Sequence, residues 1–286
     1  MVHRQKLYSE WLKSGRLDGK GGLDPRTVQH YHQCLHRALE TAIKWGMVSR
    51  NVADAVDPPK VKQHEIRVLE EDEIYRILAA SKSTGYYELI FLALYTGMRR
   101  SELLGLKWGD VDLLMGQISV SRSLHHLRNG NTDIRPPKTA KGKRLIALSL
   151  DANLMLQAYW QKQKAICDAL ERQLRDSDYV FADESGSNLL PDSVTKAWIR
   201  LMRRVHVPDA PFHCLRHTHA SLMLKQGIHP KIVQERLGHA SIGITLDTYS
   251  HVVPGLQEEA AKAFDKALKG NGLGKEATGK NGLQIG

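Results

Sequence analysis

Cysteine is scarce. Cys34, Cys167 and Cys214 are the only three in 286 residues. Odd in number and widely spaced, they exclude a disulfide framework and a four-cysteine zinc site, and they fit a reducing compartment. Long apolar runs are also lacking. The longest, around Leu89 to Leu94, is far too short to span a bilayer, and the amino-terminal MVHRQKLYSEW holds no apolar signal core. A soluble, cytoplasmic protein with no membrane partner is therefore expected. Acidic residues are outnumbered, with Asp plus Glu at 31 against Lys plus Arg at 41, for a formal charge of +10. That balance favours a polyanion such as nucleic acid or an acidic surface. A hydrophobic content of 42% is enough for a real core without covalent staples.

In chain order, Tyr8 to Leu12 suggests a short helix, and the glycine-rich GRLDGKGGLDP reads as a loop ending at Pro25. From Arg26 onward Tyr31, Leu35, Leu39, Ile43 and Trp45 recur at helical spacing, and Gly46 is a reasonable stop. The other face carries His30, His36, Arg37 and Lys44, which suits either a solvated surface or a DNA-facing helix. VADAVDPPKVKQHEIR reads as a linker, with a domain boundary near Val61. A helix follows from the acidic turn Glu70 to Glu73, another from Thr84 to Tyr95 stopping at Thr96-Gly97, and a short one in RRSELLGL. Segments 116–121, 134–137 and 144–150 alternate like three strands of one small antiparallel sheet. Helices dominate again from Asp151. Leu256, Ala260, Ala263, Phe264, Ala267 and Leu268 form one helical stripe, and residues 271–286 are glycine-rich and expected to be disordered. The fold class expected is mainly α with a small antiparallel β-sheet (α+β). It divides into a helical domain over 1–60, a larger one over 61–270 and a tail.

The stretch from His213 to Tyr249 draws the chemistry together. Tyrosine is a hydroxyl nucleophile whose free pKa near 10 leaves only about one part in a thousand ionised at neutral pH, so it needs help. Arg99 and Arg216 can each clamp the non-bridging oxygens of a phosphodiester. His213, three residues before Arg216, shares its helical face and is a natural proton acceptor. Lys138, in the turn PPKTAKGKR, is a candidate general acid for the leaving oxygen, and His239 in LGHAS can donate a further hydrogen bond. Taken singly, each such residue is more often structural or merely surface charge; their joint pattern is what points to phosphoryl transfer. A helical zinc site built on His213 and His217 is the rival. Between Pro211 and Gln234, however, there is no Asp or Glu, while Arg216, Lys225 and Lys231 crowd the stretch and would repel a dication. No metal is expected.

The segments TGMRRSELLGLKW, PPKTAKGKRLIAL, HCLRHTHASLML and LGHASIGITLDTYSH together resemble the tyrosine recombinases, the phage and transposon integrases, from about Arg67 to Val253. The resemblance implies a catalytic domain of that family with Arg99, Lys138, His213, Arg216, His239 and Tyr249 as its active-site positions. It further implies site-specific recombination: tyrosine attacks a scissile phosphate in double-stranded DNA, giving a 3′-phosphotyrosyl link and a free 5′-hydroxyl, without metal or cofactor. It also implies a homo-tetramer on DNA, a carboxy-terminal helix docked on a neighbouring subunit, and room for accessory DNA-bending or excision proteins. GLDPRTVQHYHQCLHRALETAIKWGMVSRNVA resembles only the last helices of the family's core-binding domain, so an amino-terminally shortened integrase with a partial such domain is expected. Two alternatives use the same residues differently: a type IB topoisomerase-like nicking and rejoining enzyme, and a non-catalytic DNA-binding remnant.

Overall fold

The computed structural model describes residues 2–61, 66–126, 132–136, 142–183, 185–249, 261–262 and 264–266. The chain divides into two compact units, Met1–Glu65 and Ile66–Gly286.

The first unit holds two helices, α1 (Val2–Ser14) and α2 (Pro25–Lys44). The short helix expected over Tyr8 to Leu12 thus extends in both directions. The start of α2 is fixed locally: Asp24 is the N-cap, its carboxylate accepts the Arg26 N–H at 2.8 Å, and Pro25 occupies the first turn, where its missing donor is harmless. Tyr8, Val28 and Val56 make a small core, flanked by Trp11 and Leu23. The α2 stripe departs from the usual amphipathic outcome. Tyr31, Leu35 and Ile43 are exposed: α1, the only other described helix of the unit, buries Val28 and reaches the stripe only through Trp11, edge to face on Tyr31. On the polar side, His36 Nε2 lies 2.7 Å from Asp54 Oδ1, so part of that face is turned inward to the 51–54 turn.

The second unit opens with α3 (Glu71–Ser81), α4 (Tyr87–Thr96) and α5 (Arg100–Leu104). In α4 the run Leu89 to Leu94 is buried all round, which is why its pattern is apolar on every side rather than on one stripe. Strands β1 (Val111–Asp112) and β2 (Gln117–Val120) follow, then β3 (Ser123–His126), β4 (Thr132–Arg135) and β5 (Arg144–Ala147). The single sheet expected from the sequence is in fact two. β1, β2 and β5 form one antiparallel sheet, with Gln117 opposite Ala147 and Val120 opposite Arg144, while β3 and β4 pair separately, with Ser123 opposite Arg135. The strand near Ile134 takes β3 as its partner, and β3 itself, Ser-Leu-His-His, carries too little apolar signal to be foreseen.

Helices α6 (Leu150–Ala169), α7 (Pro191–Arg204), α8 (Cys214–Lys225), α9 (Pro230–Leu237) and α10 (Ile242–Tyr249) complete the described elements. The main core joins α4, α5, the three-stranded sheet, α6 and α7 through residues such as Leu92, Leu104, Ile118, Ile146, Leu156 and Trp198. A satellite core of Ala220, Leu224, Val233, Leu237 and Tyr249 holds α8, α9 and α10 together. No described helix is long and apolar enough to cross a membrane. Lys138 and the tail 271–286 lie outside the described residues.

Candidate active site

Arg99 is the N-cap of α5, and the first side chain it meets is one turn ahead. Glu102 accepts the Arg99 backbone N–H at 2.8 Å and an Arg99 guanidinium N–H at 2.8 Å. The same carboxylate accepts two bonds from Arg144 on β5, at 3.1 and 2.9 Å, and Arg144 Nε donates to the Arg236 carbonyl at 2.7 Å. Glu102 is 4% exposed. Burial alone would raise its carboxyl, but the hydrogen bonds and charge of Arg144, with those of Arg99, outweigh it and hold the group at about 2. Glu102 is therefore a fixed anion that ties α5 to β5 and sets the direction of two guanidinium groups.

Arg216, on α8, is 2% exposed, yet both of its hydrogen bonds run to main-chain carbonyls: Gly97 at 2.8 Å and Leu237 at 2.8 Å. These carbonyls stand at the carboxy-terminal ends of α4 and α9. Both helices end in a left-handed glycine, Gly97 at φ +65 and Gly238 at φ +67, a conformation that costs a residue with a Cβ more than it costs glycine. Helix C-termini carry partial negative charge, so they steady the guanidinium without neutralising it. Burial, and then Arg99, lower Arg216 to about 9, which leaves it charged at neutral pH. Among the described residues two of its five N–H groups are engaged, and the guanidinium keeps further donors for an anion.

Three of the site's imidazoles are held neutral. Burial, then Arg216 and Arg99, bring His213 down to about 4; burial, then Arg216 and Arg99, bring His239 down to about 3; burial, then His213 and Arg216, bring His217 to about 4. The His213 and His217 rings meet edge to face with centroids 4.6 Å apart, as their one-turn spacing on α8 requires. His239 Nδ1 is 2.8 Å from Thr245 Oγ1, which ties the turn after α9 to α10. Tyr249, at the end of α10, is wholly buried, and its hydroxyl lies 2.8 Å from His217 Nδ1. Burial pushes the phenol up to about 12, with Arg216 pulling the other way. Behind these groups His219 donates from Nδ1 to the Leu94 carbonyl at 2.8 Å and receives Arg236 Nε at 3.0 Å, which fixes a neutral tautomer.

Of the residues singled out from the sequence, Arg99, His213, Arg216, His239 and Tyr249 converge here from α5, α8, the turn after α9, and α10. Lys138 is outside the described residues. Glu102, Arg144 and His217 were not anticipated in these roles. Glu102 carried one local signal, its spacing of three from the residue that precedes α5, which is the position of a capping carboxylate. The described site sets three guanidinium groups, Arg99, Arg144 and Arg216, against one carboxylate, so it lacks negative charge and is suited to an anion. A groove of about 820 Å³ opens beside Arg99 and His213, with Trp198, Met202 and Phe212 on its wall. Among the described residues no group of three or more His, Cys, Asp or Glu side chains is gathered to hold a metal ion.

Residues 67–255 match the model of the phage integrase family. The tyrosine recombinase XerC-like protein of Caldanaerobacter subterraneus is 27% identical over 92% of this chain and 70% of its own length. Tyrosine recombinase XerA of Saccharolobus solfataricus is 31% identical over 84% of this chain and 69% of its own. Among solved structures, the Tn1549 transposon integrase in complex with a circular-intermediate DNA superposes with a TM-score of 0.74 at 24% identity, covering 92% of this chain and 85% of that one.

Proposed function

Since the chain belongs to the phage integrase family and is a site-specific DNA recombinase of the tyrosine type, we propose that Tyr249 is its nucleophile and that Arg99, Lys138, His213, Arg216 and His239 surround the scissile phosphate. The observation that carries this reading is the Tyr249 hydroxyl, buried and hydrogen-bonded within the field of the Arg216 guanidinium, whose described hydrogen bonds run only to carbonyls. Tyr249 Oη attacks phosphorus, the bond to the 5′ oxygen breaks, and the strand is left on the enzyme as a 3′-phosphotyrosyl ester. Lys138 protonates the departing oxygen. Arg99 and Arg216 offset the charge that grows on the non-bridging oxygens, and His213 and His239 donate hydrogen bonds to them. The 5′-hydroxyl of a partner strand then attacks the ester and frees Tyr249. Glu102 touches no reacting atom; it positions Arg99.

In this reading the first unit adds phosphate contacts through the basic face of α2, and four copies assemble on two DNA sites. The stripe from Leu256 to Leu268, most of it outside the described residues, docks on a neighbouring copy, and accessory DNA-bending or excision proteins set direction. The enzyme works where the DNA is, in the cytoplasm or nucleoid. The topoisomerase-like alternative is not favoured, since the relatives are recombinases and integrases. The test is Tyr249→Phe on nicked duplexes obtained by detergent-resistant capture from a randomised pool. Wild type forms a covalent adduct on denaturing gels, and the variant forms none while still binding within a few-fold. An adduct that persists in Tyr249→Phe assigns the nucleophile elsewhere.

A further inference from the structure

We propose that His217 is the catalytic proton acceptor for Tyr249, a role separate from those of His213 and His239, and one that rests on the reading of Tyr249 as nucleophile. The geometry comes first. The phenol is wholly buried, so bulk water does not reach its proton, and the hydrogen bond its hydroxyl makes is to His217 Nδ1 at 2.8 Å. A general base must stand within hydrogen-bond reach of the proton it removes, and His217 already does. Among the described hydrogen bonds none joins His213 to Tyr249. Its ring instead meets the edge of His217.

The surroundings of His217 suit the task. Among the described residues, the titratable groups bearing on it are His213 at the N-cap of α8, Arg216 on α8, His239 on the turn after α9, and Tyr249 on α10, and none is a carboxylate. No described anionic group holds a proton on the imidazole, so its Nδ1 can accept from the phenol, consistent with its position near 4. A free imidazole of that kind is a weak base. The scissile phosphate changes the balance: burial is the first cause disfavouring the imidazolium, with His213 and the Arg216 charge after it, and the phosphate brings negative charge that offsets Arg216, while the phenol becomes more acidic as its oxygen bonds to phosphorus.

The step balances without a cofactor. As the Tyr249 Oη–P bond forms, the phenolic proton passes to His217 Nδ1; as the P–O5′ bond breaks, the 5′ oxygen takes a proton from Lys138. On rejoining, the attacking 5′-hydroxyl gives its proton to Lys138, and His217 returns the other to the tyrosine oxygen as it leaves phosphorus. The same hydrogen bond serves both directions, as microscopic reversibility requires.

The test uses the full chain and the captured duplexes resynthesised with a 5′-bridging sulfur at the cleavage point, which removes the need for leaving-group protonation. Adduct formation is followed in single turnover against pH for wild type, His217→Asn, His217→Ala and Tyr249→Phe. The Asn amide keeps a hydrogen-bonding partner for the phenol but is no base. His217→Asn should bind within about threefold, slow the adduct about 100-fold or more, and gain a rate that climbs about tenfold per pH unit where wild type is flat, because hydroxide must now deprotonate the tyrosine. Added imidazole should restore part of the rate of His217→Ala. A variant that cleaves within about threefold of wild type with the same pH profile overturns the role. So does one that cleaves faster, which would make the bond a latch, and so does a pH-independent loss that imidazole leaves untouched. Absence of any wild-type adduct, or an adduct in Tyr249→Phe, overturns the nucleophile and this role with it. The first three outcomes overturn this role alone.

Discussion

Replacing Glu102 by Gln removes a charge but almost no volume, and the structure sets how much should be lost. The carboxylate is 4% exposed and receives four N–H bonds, one from the Arg99 backbone, one from the Arg99 guanidinium and two from Arg144. An amide can accept at one atom only and turns an NH₂ group toward cations, so Arg144, whose side chain is 6% exposed, faces a donor with no water to replace the lost acceptor. A carboxyl that ionises at about 2 rather than 4.5 stabilises the folded chain at neutral pH by about 3 kcal/mol. The sign follows from the direction of the shift. The folded carboxyl is the stronger acid, so its contribution is full above pH 4.5 and is lost as pH falls toward 2. Urea denaturation should therefore show Glu102→Gln less stable than wild type by about 3 kcal/mol at pH 7, with the gap closing below about pH 4 as wild type gives up the same interaction. A gap below about 1 kcal/mol at pH 7, or one that stays constant down to the lowest pH at which both fold, would show that Glu102 does not hold the two arginines as an anion.

Two further outcomes are expected. Lys138→Ala should slow cleavage of an ordinary phosphodiester far more than cleavage of the 5′-bridging sulfur substrate, since a thiolate leaves without a proton; equal losses on the two would remove Lys138 from that step. Gly97→Ala should destabilise the chain, because a left-handed residue with a Cβ costs roughly 1–2 kcal/mol and the new carbon would stand 2.7 Å from both His219 Cδ2 and Leu237 Cδ2. A change below about 0.5 kcal/mol on denaturation would mean that the two neighbours yield freely.

Much of this was legible in the chain because local rules and tertiary demands agree. Leu89 to Leu94 is apolar without a stripe because α4 is surrounded, and Gly97 and Gly238 stop their helices where the backbone turns left-handed. The side chains proposed to react sit in short segments whose order survives in sequence. What could not be read was set by partners far along the chain. Glu102 meets Arg144 from 42 residues away, and His217 meets Tyr249 from 32. Arg216 bonds to carbonyls, which every residue possesses, so no side-chain identity announces its partners. The α2 stripe carries the opposite lesson: helical spacing of Tyr31, Leu35 and Ile43 predicts a helix, but whether the stripe is covered depends on what stands opposite.

The carbonyl pair at Arg216 has a consequence for how DNA is received. Where a carboxylate holds a buried arginine, an incoming phosphate must compete with that acid for the same donors. Here the holders are the ends of two helices, which cannot be protonated, displaced by salt or rotated away. The guanidinium is presented at a fixed angle with its charge undiscounted, and it bolts α8 to α4 and α9 before any substrate is bound. In the proposed reaction the phosphate would therefore meet a receptor already set, with no rearrangement of this arginine needed as charge builds. Lysine, with a single ammonium on a flexible stem, cannot reach both helix ends and still present a planar edge to the anion.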